Sequence, residues 1–210
     1  PTPGPTSTVV YAFGGELYGA TTLGYWRSKD GGQTWSVLAG TLANPTVSDG
    51  SCTDLDVGHD QTWYNQAIVV DPTNADHVLV GGNLCGMRTL DGTAAQPTWE
   101  LVSHWLPGPG YGETANGRLG YVHADWHTAT SVVVNGHVTT FAGTDGGIFA
   151  SDNLFDSATP AEQVLWTHRN KGLATHLLYS VASGDPAAGD PFVAFMGLQD
   201  NGTRFRADPH

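Results

Sequence analysis

Three turn segments that end in tryptophan recur along this chain in nearly constant phase, and no other feature narrows the fold as far. They are "SKDGGQTW" (28–35), "TLDGTAAQPTW" (89–99) and "SDNLFDSATPAEQVLW" (151–166), the later two lengthened by insertions. Trp35, Trp99 and Trp166 stand 64 and 67 positions apart. A second mark keeps step with the first: apolar runs that close on glycine, "VVYAFGG", "HVLVGGN", "HVTTFAGTD" and "FVAFMGLQD". Two marks with one period define a repeat, and repeated units bury their cores by stacking each on the next.

Each unit reads as four strands. In the second they are "AIVVD", "HVLVGG", "GMRTL" and "TWELVS"; in the third, "TATSVVV", "HVTTFAG", "GIFAS" and "VLWTH". Asn135-Gly136 between two β-branched runs is a strong two-residue hairpin signal. Helical periodicity is almost absent, and 28 glycines with only 13% charged residues suit short strands and many turns. The expected fold class is all-β, a β-propeller of four-stranded antiparallel blades with about three and a half blades visible. Residues 1–7 read as a linker or trimmed terminus and 8–210 as propeller, with blades at approximately 8–39, 64–103, 127–168 and 176–206. A seven-bladed or larger ring needs more strands than these. The remaining blades or a second chain are therefore expected as partners that close the ring and cover open sheet edges.

The first box has a physical purpose. Ser28, Asp30 and Thr34 can direct side-chain oxygens at the backbone N–H groups of a tight turn. Gly31 and Gly32 supply backbone angles that other residues avoid, and Trp35 is expected to bury its ring between neighbouring sheets. Ser28, Asp30, Gly32, Thr34 and Trp35 together resemble the Asp-box, or BNR repeat, of sialidases, sortilin-type propellers and xyloglucanase-type glycoside hydrolases. "WYNQAIVVDPTNADHVLVGGN", "HADWHT", "GTDGGIFAS", "NKGLATHLLYSVA" and "GLQDNGT" occur in an order similar to secreted bacterial BNR-repeat proteins of glycosyl-hydrolase-like type. That resemblance runs from about Val9 to Arg206 and implies a propeller that binds or cleaves polysaccharide. "GTDGGIF" is similar to the strand end that carries the catalytic base in xyloglucanase-type enzymes, but lacks one residue between the aspartate and the glycine pair. The Phe-Arg-Ile-Pro stretch of sialidases is absent.

Composition narrows the partners. A formal charge of −12 leaves nothing to offset phosphate repulsion, which argues against nucleic acid. No apolar run is long enough to span a membrane as a helix. The two cysteines, Cys52 and Cys85, fall in a crossover and in a turn at the same end of the second unit, so a disulfide between them is expected. A bridge implies an extracellular or periplasmic home.

In an up-and-down blade the Asp-box turns share one end of the sheet. The crossovers and the turns between second and third strands share the other, where function concentrates. That second end collects Trp63, Trp105, Tyr111, His123, Asp125, Trp126, His127, Gln199 and Asn201 as ligand-binding candidates. Their rings can stack on sugar faces while the polar groups exchange hydrogen bonds with hydroxyls. Asp145 and Asp200 each follow a glycine-terminated strand and are the catalytic candidates for glycosidic hydrolysis; in the plain alternative each caps a tight turn. His123, Asp125 and His127 alternate as a metal-binding trio does on an extended segment, with His59 or His176 as further ligands. Their plain alternative is hydrogen bonding between loops. A divalent metal is the one cofactor this pattern proposes. Three functions remain open: a module binding glycans or extracellular protein, a glycoside hydrolase, and a purely structural propeller.

Overall fold

The computed structural model describes residues 8–17, 22–173, 178–183 and 193–206. Among them there is no α-helix, only two 3-10 turns at His59–Gln61 and Ala161–Gln163, and the regular structure is otherwise strand. Two compact units divide the chain, Pro1–Arg169 and Asn170–His210. His176, the more distant metal candidate, lies outside the described residues.

Small antiparallel sheets make up both units. In the first unit, β1 (Val10–Gly15), β2 (Thr22–Ser28) and β3 (Ser36–Val37) form one sheet in that order. After β4 (Thr41–Leu42) comes a second sheet of β5 (Ala67–Asp71), β6 (Asn74–Gly81), β7 (Cys85–Thr89) and β8 (Thr98–His104). A two-stranded ribbon of β9 (Glu113–Thr114) and β10 (Gly117–Arg118) precedes β11 (Gly120–Tyr121). The third sheet is β12 (Trp126–Val134), β13 (His137–Thr144), β14 (Gly147–Ser151) and β15 (Thr167–His168). In the second unit β16 (Leu178–Ser183), β17 (Ala194–Leu198) and β18 (Thr203–Arg206) form one antiparallel sheet.

Open edges are the hazard in such a chain. On the side of the last strand of each sheet the first unit limits them, while β1, β5 and β12 stand at the opposite edges. β4 and β11 both pair in parallel with β8, one at Thr98–Trp99 and the other at Ser103–His104, so its outer edge is covered. β3 and β15 offer only two residues each. Short or covered edges resist pairing with other chains.

The recurring glycines have one cause. A Cβ on Gly14 would fall 2.6 Å from the Trp26 ring, one on Gly143 2.7 Å from Thr128, and one on Gly197 2.6 Å from Ser180. On Gly81 it would collide with the Trp126 ring, which crosses over from the third sheet. Each glycine is a seat for a neighbouring side chain, which any larger residue would displace.

The three turn segments share one hydrogen-bond scheme. In the first, the Asp30 carboxylate accepts the Thr34 N–H at 2.8 Å, the Gln33 N–H at 3.0 Å, the Thr34 hydroxyl at 2.6 Å and the Ser28 hydroxyl at 2.7 Å. In the second, Asp91 accepts the Thr89 hydroxyl at 2.7 Å and the Thr98 N–H at 2.9 Å. In the third, Asn153 accepts the Ser151 hydroxyl at 3.1 Å and the Leu165 N–H at 3.0 Å. Every time, the residue two past the hydroxyl holds the N–H just before the tryptophan, whatever the insertion between them. These contacts, the Thr34 hydroxyl foremost, hold the Asp30 carboxyl down at about 2.

Burial of the tryptophans corrects one expectation. Trp99 is fully buried and its ring lies 5.4 Å from Tyr25 of the first sheet. Trp166 meets Trp126 edge-on at 5.6 Å and donates its indole N–H to Val102 O of the second sheet at 3.0 Å. Trp35 instead stays 46% exposed and folds back to donate to Gly32 O at 3.1 Å. The reason is tertiary: the first two rings rest on the preceding sheet, whereas Trp35 rests on its own turn.

Buried arginines tie the sheets together. Arg27 of β2 donates to Gly92 O and Ala94 O, both at 2.6 Å, inside the second of the three turn segments. Arg88 of β7 does the same for the third loop, to Leu154 O and to Thr159 O, the latter at 2.6 Å. Each arginine satisfies two carbonyls of a lengthened loop, one of them in a buried place, that would otherwise lack a donor.

The Cys52–Cys85 disulfide is formed, and both residues are buried among Tyr25, Val80, Met87 and Leu101. Closing its loop stabilises the fold by about 3–4 kcal/mol in the chain-entropy picture. The bridge fits an oxidising extracellular or periplasmic setting.

Candidate functional site

Antiparallel order places the tryptophan-closed turns β2–β3, β7–β8 and β14–β15 at one end of their sheets, and the β6–β7 and β13–β14 turns at the other. At that second end, Asp125 joins three loops of the first unit. Its N–H donates to Asn83 O in the β6–β7 turn at 2.8 Å, and its carbonyl accepts the Asp145 N–H of the β13–β14 turn at 3.3 Å. Its carboxylate accepts the Asn65 amide N–H at 2.6 Å. Asn65 itself is fully buried and is held by the 3-10 turn, with its N–H on Gln61 O at 2.9 Å. Asp125 adopts φ 63, a left-handed conformation that a residue other than glycine keeps only when its surroundings over-determine it.

Beside this knot lies a pair that faces solvent. His127 Nε2 and Asp145 Oδ1 are 2.7 Å apart, with both side chains partly exposed. Tyr64 meets the His127 ring edge-on at 4.8 Å, and Trp63 lies 5.4 Å from Tyr64. Trp63 and Tyr64 are 58% and 51% exposed. The result is a two-ring apolar surface running into an imidazole–carboxylate pair, with a second carboxylate close by. One carboxylate oxygen of Asp125 lies within 4.8 Å of one of Asp145.

The remaining candidates go elsewhere. Trp126 cannot stack on a ligand: it is completely buried, seated on Gly81 and Gly86 in the core shared by the second and third sheets. It begins β12, and its first inward position makes it core. His123, Asp125 and His127 do not form a converging trio, because the left-handed turn at Asp125 breaks the extended alternation and β12 starts only at Trp126. His127 joins Asp145, Asp125 joins Asn65, and His123 packs behind the Asp145-Gly146 turn, where a Cβ on Gly146 would strike it. His59, with φ 46, starts the 3-10 turn and donates its N–H to Asp56 at 3.1 Å.

No protein-family model and no curated protein matches the chain. The site therefore stands on its own geometry.

Trp105 and Tyr111 belong to the long segment between β8 and β11. That segment is held by polar contacts, Gly112 N–H to Asp49 at 2.9 Å and the Thr114 hydroxyl to Glu162 at 2.9 Å, with Tyr111 left exposed. In the second unit, Gln199, Asp200 and Asn201 form the β17–β18 turn, with Asp200 at φ 54 and the Asn201 amide on Gln199 O at 3.0 Å. Tyr64 and Asn65 were not legible as site residues. Their signal is the run Trp63-Tyr64-Asn65 straight after a 3-10 turn, which puts two rings outward and the amide inward.

Proposed function

We propose that this chain is a secreted Asp-box β-propeller module that binds a glycan at the crossover end of its second and third sheets. The observation that carries the reading is the exposed Trp63–Tyr64 pair running into His127 and Asp145. Flat amphipathic rings next to fixed hydrogen-bonding groups suit the alternating apolar faces and hydroxyl rims of sugars. The repeated turn scheme and the inter-sheet tryptophans support a propeller, closed by further blades or by another chain. Titration of a polysaccharide and oligosaccharide panel, read by tryptophan fluorescence and calorimetry, tests the function. A saturable ligand is expected, with affinity falling about tenfold or more in Trp63→Ala and in Tyr64→Ala, near 1.4 kcal/mol per decade. Absence of any ligand, or full affinity in both variants, overturns the reading.

A second reading, glycoside hydrolysis, is favoured by one observation: Asp125 and Asp145 bring carboxylate oxygens within 4.8 Å of each other. Retaining glycosidases hold their two carboxyl groups at about 5–5.5 Å. Reducing-sugar release that vanishes in Asp145→Asn and in Asp125→Asn supports it; turnover unchanged in both removes these residues as catalysts.

A further inference from the structure

We propose that Cys52, Cys85, His104 and Asp49 form a zinc site while the two cysteines are thiols, as in a newly made chain, before their disulfide closes. The metal then ties the crossover to the second sheet as the bridge does later. All four residues belong to the first unit, and the site is independent of the glycan surface.

The end of the second sheet builds it. Cys85 opens β7, His104 closes β8, and the two are register partners across that antiparallel pair. Residues directly opposite in such a pair share one face. Cys52 arrives from the crossover, where its N–H donates to the Thr46 hydroxyl at 3.0 Å. The two sulfurs and a ring nitrogen of His104 lie within 4.8 Å of one another, and all three residues are buried. Two thiolates and an imidazole are donors that suit zinc. On a tetrahedral zinc, with Zn–S bonds of about 2.3 Å, two sulfurs stand about 3.8 Å apart. The Cα atoms of Cys52 and Cys85 are 6.6 Å apart, toward the wide end for bridged cysteines, so the side chains have room to part.

The imidazole supplies a second, separate observation. His104 is only 1% exposed, and its Nδ1 accepts the Leu106 N–H at 3.1 Å, which fixes the ring. Nε2 is buried and makes no hydrogen bond among the described residues. Asp49 Oδ2 lies 3.1 Å from it, off the N–H direction, and is held by the Gly112 N–H at 2.9 Å. A buried nitrogen left unbonded beside a carboxylate is a cost in the bridged form. A metal uses both groups: Nε2 binds it and Asp49 offers the fourth ligand oxygen. The ring proton passes to Nδ1, which has Leu106 O at 3.4 Å as its acceptor.

The chemistry balances in both directions. As Zn²⁺ enters, the two thiols give up their protons. When a small-molecule disulfide later oxidises the pair, it takes two electrons from the thiolates and, with two protons, becomes two thiols. The Cys52–Cys85 bond forms and Zn²⁺ leaves.

Refolding of the phosphine-reduced chain without oxygen, with Co²⁺ as the spectroscopic stand-in for zinc, tests the proposal. One Co²⁺ per chain is expected, with thiolate-to-cobalt charge-transfer absorption and tetrahedral d–d bands that equimolar Zn²⁺ abolishes. The bridged chain should show neither. Affinity for Co²⁺ should fall at least about tenfold in His104→Gln and in Asp49→Asn, with the bridged form of each variant as the check on folding. Zn²⁺ should raise the melting temperature of the reduced parent, because it binds the folded form, and should not raise that of Cys52→Ala. No tetrahedral cobalt spectrum, the same spectrum from the bridged chain, full affinity in both variants, or a reduced chain that Zn²⁺ fails to stabilise overturns the proposal.

Discussion

Trp35 and Trp99 close turns built on the same hydroxyl–acid scheme, yet one ring stands half in water and the other is sealed. Their turns are alike: Asp30 holds the Thr34 N–H and Asp91 holds the Thr98 N–H. What differs is the neighbour. Trp99 has Tyr25 of the preceding sheet against it, and Trp35 folds back to donate to Gly32 O of its own turn. The motif therefore makes the hairpin, and the adjoining sheet makes the ring a core residue. Architecture and burial are separate properties of one segment.

The largest expected effect breaks that contrast directly. Trp99→Ala should destabilise the protein by about 3–5 kcal/mol through the cavity it leaves between sheets. Trp35→Ala should lower stability by about 1 kcal/mol or less, as at a surface position. Denaturant unfolding of both variants checks this, and equal losses would mean that Trp35 is covered in solution.

The arginine ties come next. Arg88→Met should lower stability by about 2–3 kcal/mol, because Leu154 O, which is buried, and Thr159 O, which is half-buried, lose their donor and Glu100 loses its ion pair. Arg27→Met should behave alike, since Gly92 O and Ala94 O depend on it in the same way. A negligible change in both would show that water replaces the guanidinium and that the sheets hold together by ring packing alone.

The smallest effect concerns the turn itself. Asp30 is held at about 2, below its ordinary 3.8, so its contribution is present above the ordinary value and is lost as pH falls through about 2. Asp30→Asn lacks that contribution at neutral pH. Melting temperatures of parent and variant should thus differ near neutrality and converge on acidification between about pH 4 and about pH 2. A gap that stays constant with pH would place the stabilisation in geometry and not in charge.

Much of this was legible in the residues. Glycine-closed runs and Asn135-Gly136 placed the strands, and hydroxyl–acid pairs placed the turns, because each satisfies its needs within a few positions. The separation of the tryptophan-closed turns from the polar loops also followed, since antiparallel order alone dictates it. The site was legible only in outline. His127 and Asp145 were both candidates, but their pairing was not, nor was the role of Tyr64 beside them. Trp126 misled because the strand was expected only from Thr128 and begins at Trp126, and the His123–Asp125–His127 trio because alternation was read through a residue whose left-handed backbone resets it.

By itself, then, the sequence determined the all-β character, the strand positions and the chemistry of the turns, all of which rest on short-range hydrogen bonding and periodicity. Only the tertiary structure decided which tryptophans are core, which carbonyls the arginines reach, and which acids share a loop end. Those outcomes depend on groups some sixty positions apart meeting by the stacking of sheets, as when Arg27 reaches Gly92 and Asn65 reaches Asp125.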